Sequence, residues 1–212
     1  MSGFSRLFWP GPVLALVIFL TWAGLAPHSA LAQARILPQI GPDAVWKADW
    51  QLLARHHGEV LAGLEAFMRS QGASYQALAF TRSVKGEGFL CSFTEMGQVD
   101  LAQMQVPFKN ADPDYLLVNG TPQIVAVGQK QYWQPLDLRK NPWVGQYPKA
   151  DWFARINFLR LVSRPGGGQR FIFAFAIQDG CRACALLGKA LVAYDFDPAG
   201  KFLSTRLLGF SK

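Results

Sequence analysis

The sequence predicts an α+β fold: one long N-terminal amphipathic helix packed on an antiparallel β-sheet, with a C-terminal four-stranded meander. Three observations lead there. Apolar residues from Trp46 to Met68 recur at spacings of three and four, the period of a helix laid on a core. After Gly72 the period shortens toward two, as in a strand with one buried side. In the last third, segments are joined by turns far shorter than the roughly twelve-residue crossover that parallel neighbours need.

The chain has 212 residues, 50% hydrophobic and 17% charged, a balance that excludes a disordered chain. Residues 1–32 read as a signal peptide of the Sec type. Arg6 supplies a basic start, Val13 to Ala26 is an apolar run, and Ala30-Leu31-Ala32 is an A-x-A cleavage site. The run is bounded by Pro12 and Pro27 and falls short of the ~20 apolar residues of a membrane span. Ala34 offers a second cut, and no twin Arg precedes the run. A periplasmic or secreted protein is expected, without a transmembrane segment after cleavage. Residues 33–42 read as a linker and 43–212 as a single α+β domain.

Loss of Arg6 with the leader leaves twenty bases against fourteen acids, a net charge of +6. A basic exported chain is drawn to anionic surfaces, so an anionic envelope polymer or a protein is the expected partner. The bases, among them Arg55, Arg69, Arg82, Arg155, Arg160, Arg164 and Arg170, are scattered along the chain. Without a run of like charge, a nucleic-acid patch is not expected.

The elements follow in order. Pro38 to Pro42 leads to Asp43, a plausible N-cap, and the helix runs from there to Ser70 with a kink expected near Gly58. Its stripe holds Trp46, Trp50, Leu53, His57, Val60 or Leu61, Leu64 and Phe67 or Met68. Tyr75 to Val84 and Gly88 to Glu95 read as strands around Lys85-Gly86-Glu87-Gly88. Tyr115 to Val118 and Gln123 to Val127 flank Asn119-Gly120, a pair suited to a tight hairpin turn. Gln129 to Lys149 has no clean period and reads as loop. Arg155 to Val162 is followed by the breaker Arg164-Pro165-Gly166-Gly167-Gly168. In the next strand Phe171, Phe173, Phe175 and Ile177 alternate with Ile172, Ala174 and Ala176, one face large and the other small. Leu186 to Phe196 and Lys201 to Gly209 complete the meander, joined by Asp197-Pro198-Ala199-Gly200, which fits a type I turn.

Of the three cysteines, Cys181 and Cys184 are expected to form a disulfide that clamps the turn between two strands. So short a loop gains about 2 kcal/mol on the chain-entropy estimate. Cys91 is left over in an apolar strand. The alternative is a thiol–disulfide oxidoreductase using Cys181 and Cys184, which would need its first Cys at a helix N-terminus to lower the thiol pKa. Haem attachment needs His after the second Cys, where Ala185 stands. Adjacent His56 and His57 point about 100° apart on a helix and make a poor ligand pair. G-x-S-x-G, S-x-x-K and H-E-x-x-H are missing from the sequence. Neither metal, cofactor nor catalytic residue is expected. Asp195 is expected at the wet end of its strand.

Tyr132, Trp133, Trp143, Tyr147 and Trp152, with Arg182 of the stapled turn, are the candidate binding surface, although such aromatics can equally cover a sheet. Across Arg170 to Gly209 the disulfide-closed turn in an antiparallel sheet is similar in arrangement to exported bacterial inhibitors of vertebrate-type lysozyme. Members of that family insert a Cys-bounded loop with a central His into the enzyme's cleft. Here the loop holds only Arg182 and Ala183. The expected function is an exported, non-enzymatic binding or accessory domain. The alternatives are the oxidoreductase and a basic, envelope-associated structural protein.

Overall fold

Alternating residues in the middle of the chain serve two different cores. Leu101, Leu117 and Val125 belong to one cluster, while Ala102, Leu116, Val118 and Ala126 belong to another. A strand whose two sides are both apolar must be covered on both, so these strands form an inner layer. In the computed structural model, residues 38–109, 112–132, 142, 144–181 and 183–211 are described, without the side chains of residues 130 and 151–154. Residues 1–32, expected to be a signal peptide, and residues 33–37 of the expected linker lie outside them.

Two four-stranded antiparallel sheets are formed, where the sequence predicts one. The first has the order β1 (Phe89–Thr94), β2 (Asp100–Gln105), β3 (Asp114–Val118) and β4 (Ile124–Ala126). The second has the order β5 (Ala150–Ser163), β6 (Gln169–Asp179), β7 (Leu186–Phe196) and β8 (Phe202–Ser211), the expected meander. The class is α+β, with three layers: helices, first sheet, second sheet.

The long helix is divided into α1 (Trp50–Arg55), α2 (His57–Ala62) and α3 (Leu64–Ser70). Asp49, not Asp43, caps α1, its carboxylate accepting the Leu52 N–H at 2.5 Å. The breaks fall at His56 and Gly63 rather than at Gly58. Leu53, Val60, Leu64, Phe67 and Met68 are buried with Trp46 and Phe89, so most of the stripe faces the core, but Trp50 and His57, expected on it, are exposed. Breaking the helix lets that stripe follow the sheet, and packing outweighs continuous helical hydrogen bonding. Trp50 and Leu61 remain exposed.

Tyr75 to Val84 is not a strand but a fourth helix, α4 (Tyr75–Ser83). Ser74 caps it, accepting from the Ala77 N–H at 3.0 Å. At its other end Lys85 has φ 57°, Lys85 N–H donates to Arg82 O and Gly86 N–H to Thr81 O. That pair of bonds is a Schellman ending, so the glycine signal belongs to a helix C-terminus rather than a hairpin. Nor is the Asn119 turn a two-residue hairpin: it spans five residues to Gln123, with Asn119 at φ 70° and a cis Thr121–Pro122 bond. Asn119 Oδ1 accepts the Ile40 N–H and its Nδ2 donates to Ile40 O, both at 2.8 Å. Ile40 is buried, so residues 38–42 are part of the fold and not a free linker.

The aromatic side of β6 meets the first sheet. Phe171, Phe173, Phe175 and Ile177 share one cluster with Val99, Leu101, Leu117, Val125 and Val127, and Tyr115 lies 5.5 Å from Phe173 ring to ring. Tyr194 of β7 is buried in the same cluster and accepts the Gly128 N–H at 2.8 Å. Burial pushes its hydroxyl up to about 12, although the Gly128 bond works the other way. The unfolded chain therefore releases this proton first, and stability falls as pH rises from about 10 through about 12. Tyr194→Phe should flatten that alkaline decline in denaturant titrations. At neutral pH it should cost about 1–2 kcal/mol, because the Gly128 amide loses its acceptor.

Candidate functional site

A turn that closes tightly over the end of β7 builds the most organised charged cluster among the described residues. Gly166, Gly167 and Gly168 all have positive φ, between 79° and 88°. At Gly168 a Cβ would meet Phe196 O at 2.3 Å, so only glycine lets the β5–β6 turn come this close. The approach brings Arg164 to β7, where its Nη1 donates to Phe196 O at 3.1 Å.

Beneath it lies Asp195, which is 1% exposed rather than at the wet end of its strand. Antiparallel register sets Arg170 of β6 and Ser204 of β8 opposite it, and Arg206 opposite its neighbour-but-one Ala193. Arg170 Nε donates to Oδ1 at 2.6 Å and its Nη2 to Oδ2 at 3.0 Å, a two-pronged pair. Arg206 Nη2 donates to Oδ2 at 2.7 Å, and Arg164 Nε lies 3.8 Å away. Three guanidiniums thus gather around one carboxylate, a local excess of two positive charges. The carboxylate accepts three of these bonds, and the guanidiniums keep several N–H groups that it does not use.

The cluster sits on the outer side of the second sheet. Opposite parity to the aromatic stripe places Arg160 (facing Ile172), Arg170, Lys189 (facing Ala176) and Arg206 on this side. Between them the surface is paved by Ile172, Ala174, Ala176 and Ala193, all buried. Arg160 and Lys189 are exposed and have no ion-pair partner among the described residues. Five bases that look scattered in the sequence, Arg160, Arg164, Arg170, Lys189 and Arg206, are brought by the fold to one side of this sheet, while Arg55, Arg69 and Arg82 lie on the helices.

The sequence-predicted candidates distribute differently. Cys181 and Cys184 form a disulfide, with Cα atoms 5.0 Å apart, in a turn where Cys184 N–H donates to Cys181 O. β7 begins at Leu186, so a strand and not a helix follows the pair. The dipole that would favour a thiolate at Cys181 is therefore not in place. Cys91 is half-buried; burial raises its thiol, and its Sγ lies 3.4 Å from Gln103 O. Tyr132 covers the sheet: its hydroxyl donates to Ile124 O at 3.1 Å and its ring meets Phe202 edge-on. Tyr147 is partly buried. Trp133, Trp143 and Arg182 lie outside the described residues, as does the Trp152 side chain. His56 Nδ1 lies 3.0 Å from Glu59 Oε1, while His57 packs on Phe108. Among the described residues no three His, Cys, Asp or Glu side chains converge as a metal site. Nor is any helix among them long and apolar enough to cross a membrane.

No protein-family model, curated protein or solved structure matches the chain. The similarity in arrangement to lysozyme inhibitors therefore carries no functional assignment.

The cluster makes unequal demands on its members. Asp195→Ala leaves three cations facing one another beside a buried surface and should cost about 3–5 kcal/mol of unfolding free energy. Arg206→Ala, at a side chain 51% exposed, should cost about 1 kcal/mol or less. Paired chemical denaturation curves at low salt check both.

Proposed function

We propose that this chain is an exported, non-enzymatic binding domain that attaches to an anionic component of the cell envelope through the outer side of β5–β8. One observation carries the reading. Arg160, Arg164, Arg170, Lys189 and Arg206 come together there, while Asp195 is the one acid whose described side chain lies among them. Such an arrangement is costly to the isolated molecule through self-repulsion and favours a partner of opposite charge.

The rest of the surface fits that role. The buried carboxylate is engaged in holding arginines, which suits a rigid recognition surface more than proton transfer. Export is supported by the basic start, apolar run and A-x-A site of residues 1–32, and by a net charge of +6 once they are removed. The disulfide, in a turn and followed by a strand, reads as a staple at one end of the β6–β7 hairpin.

Two measurements test the proposal. N-terminal sequencing of the protein recovered from the periplasm or medium should begin at Gln33; a chain retaining Met1 there would refute cleavage, and recovery of the protein only from the cytoplasm would refute export. Retention on an immobilised polyanion should fall steeply with salt. The Arg160→Glu/Lys189→Glu pair should lower affinity about tenfold or more, whereas Lys47→Glu/Arg55→Glu, an equal charge change on the helical layer, should have little effect. Equal losses from both pairs would show that net charge alone is responsible and that the face has no special role.

A further inference from the structure

The basic face has a second property that charge alone does not explain. β5 and β8 are the two edge strands of its sheet, and each is interrupted by bulges. The extra residues at three of these interruptions are Leu159, between Phe158 and Arg160, Leu203, between Phe202 and Ser204, and Leu208, between Leu207 and Gly209. They are 49%, 46% and 45% exposed. A bulge re-aims the side chain it carries, here taking leucines out of the regular in-and-out alternation that buries their neighbours. The bases are therefore flanked on both edges by large apolar side chains that the fold leaves in water.

We infer that the partner is the surface of an anionic lipid layer, with headgroup phosphates at the guanidiniums and the leucines entering the headgroup–acyl boundary. The inference rests on the proposed binding role of this face and names its partner. A soluble polyanion would satisfy Arg160, Arg164, Arg170, Lys189 and Arg206 but offers the leucines no apolar medium. A lipid surface supplies both, the combination by which peripheral proteins hold to membranes. Guanidiniums suit the phosphate end of that contact. The forks of Arg170 and Arg206, already oriented by Asp195, keep unused N–H groups and match phosphate oxygens two at a time. Between the bases lie the small residues Ala174, Ala176 and Ala193, themselves buried, so contact falls to the exposed bases and leucines around them.

Sedimentation of the processed protein with vesicles tests this, using phosphatidylcholine alone, phosphatidylcholine with phosphatidylglycerol, and dextran sulfate as a soluble polyanion. Binding is expected to the mixed vesicles and not to phosphatidylcholine alone. Arg160→Glu/Lys189→Glu should reduce vesicle binding about twenty-five-fold or more, each base lost near an anionic surface counting for roughly a fivefold factor. Leu159→Ser/Leu208→Ser should weaken vesicle binding about tenfold or more yet leave dextran sulfate binding unchanged. All variants alter exposed side chains, and their thermal melts should match the parent's. Binding to dextran sulfate without binding to mixed vesicles would overturn the lipid inference and leave the basic face standing as a polymer site. Vesicle binding indifferent to the leucine pair would also overturn it, since attachment would then be electrostatic alone. Failure to bind either probe would overturn both the inference and the proposed function.

Discussion

Phe171, Phe173, Phe175 and Ile177 project from one side of β6 into the space between the sheets, where Val99, Leu101, Leu117, Val125 and Val127 meet them. Fully burying each such side chain is worth about 1.5–3 kcal/mol, so this one stripe outweighs any single polar interaction in the molecule. It also sets parity for everything beyond it. Once the aromatic residues of β6 face inward, Arg170 must face outward, and register with β5, β7 and β8 carries Arg160, Lys189, Asp195 and Arg206 to the same side. The charged face is thus a consequence of how the core is packed.

Polar side chains hold the two sheets at the corner where that core opens. Gln169, at the start of β6, accepts the Val99 N–H at 2.7 Å and donates to Met96 O and Val99 O. Asp100 takes the Met96 N–H at 2.7 Å and the Asn119 amide at 2.8 Å, and is buried. Thr121 exchanges backbone bonds with Gly200 and Phe202 across the sheets. A loop at such a junction would otherwise bury unpaired backbone groups, and these side chains satisfy them.

The second sheet was legible in the sequence because each of its strands is long and bounded by strong breakers: the Arg164–Gly168 run, the Cys181–Cys184 turn and the Asp197–Gly200 turn. Asp197 takes its turn role as read, accepting the Ala199 and Lys201 N–H groups. The first sheet was harder. β2 carries Gln103 and Gln105 among its apolar residues, and both faces of β2 and β3 are covered, which blurs the alternation that marks a strand. At α4 the period misled, since Tyr75, Ala77, Ala79 and Thr81 alternate as a strand would, while Ser74 and the Lys85–Gly86 ending mark a helix. The cluster around Asp195 was invisible for another reason. Arg164, Asp195 and Arg206 lie 6, 25 and 36 residues from Arg170, and only sheet register and the close Gly168 turn bring them together.

The bulges of β5 and β8 matter beyond the surface they shape. An open sheet exposes a row of unpaired amides and carbonyls along each edge, onto which a strand from another chain can add. Displacing Leu159, Leu203 and Leu208 from the regular ladder breaks both rows into short lengths. Edges interrupted in this way resist strand-by-strand growth into fibres, so many copies can be concentrated side by side without fusing into a continuous sheet.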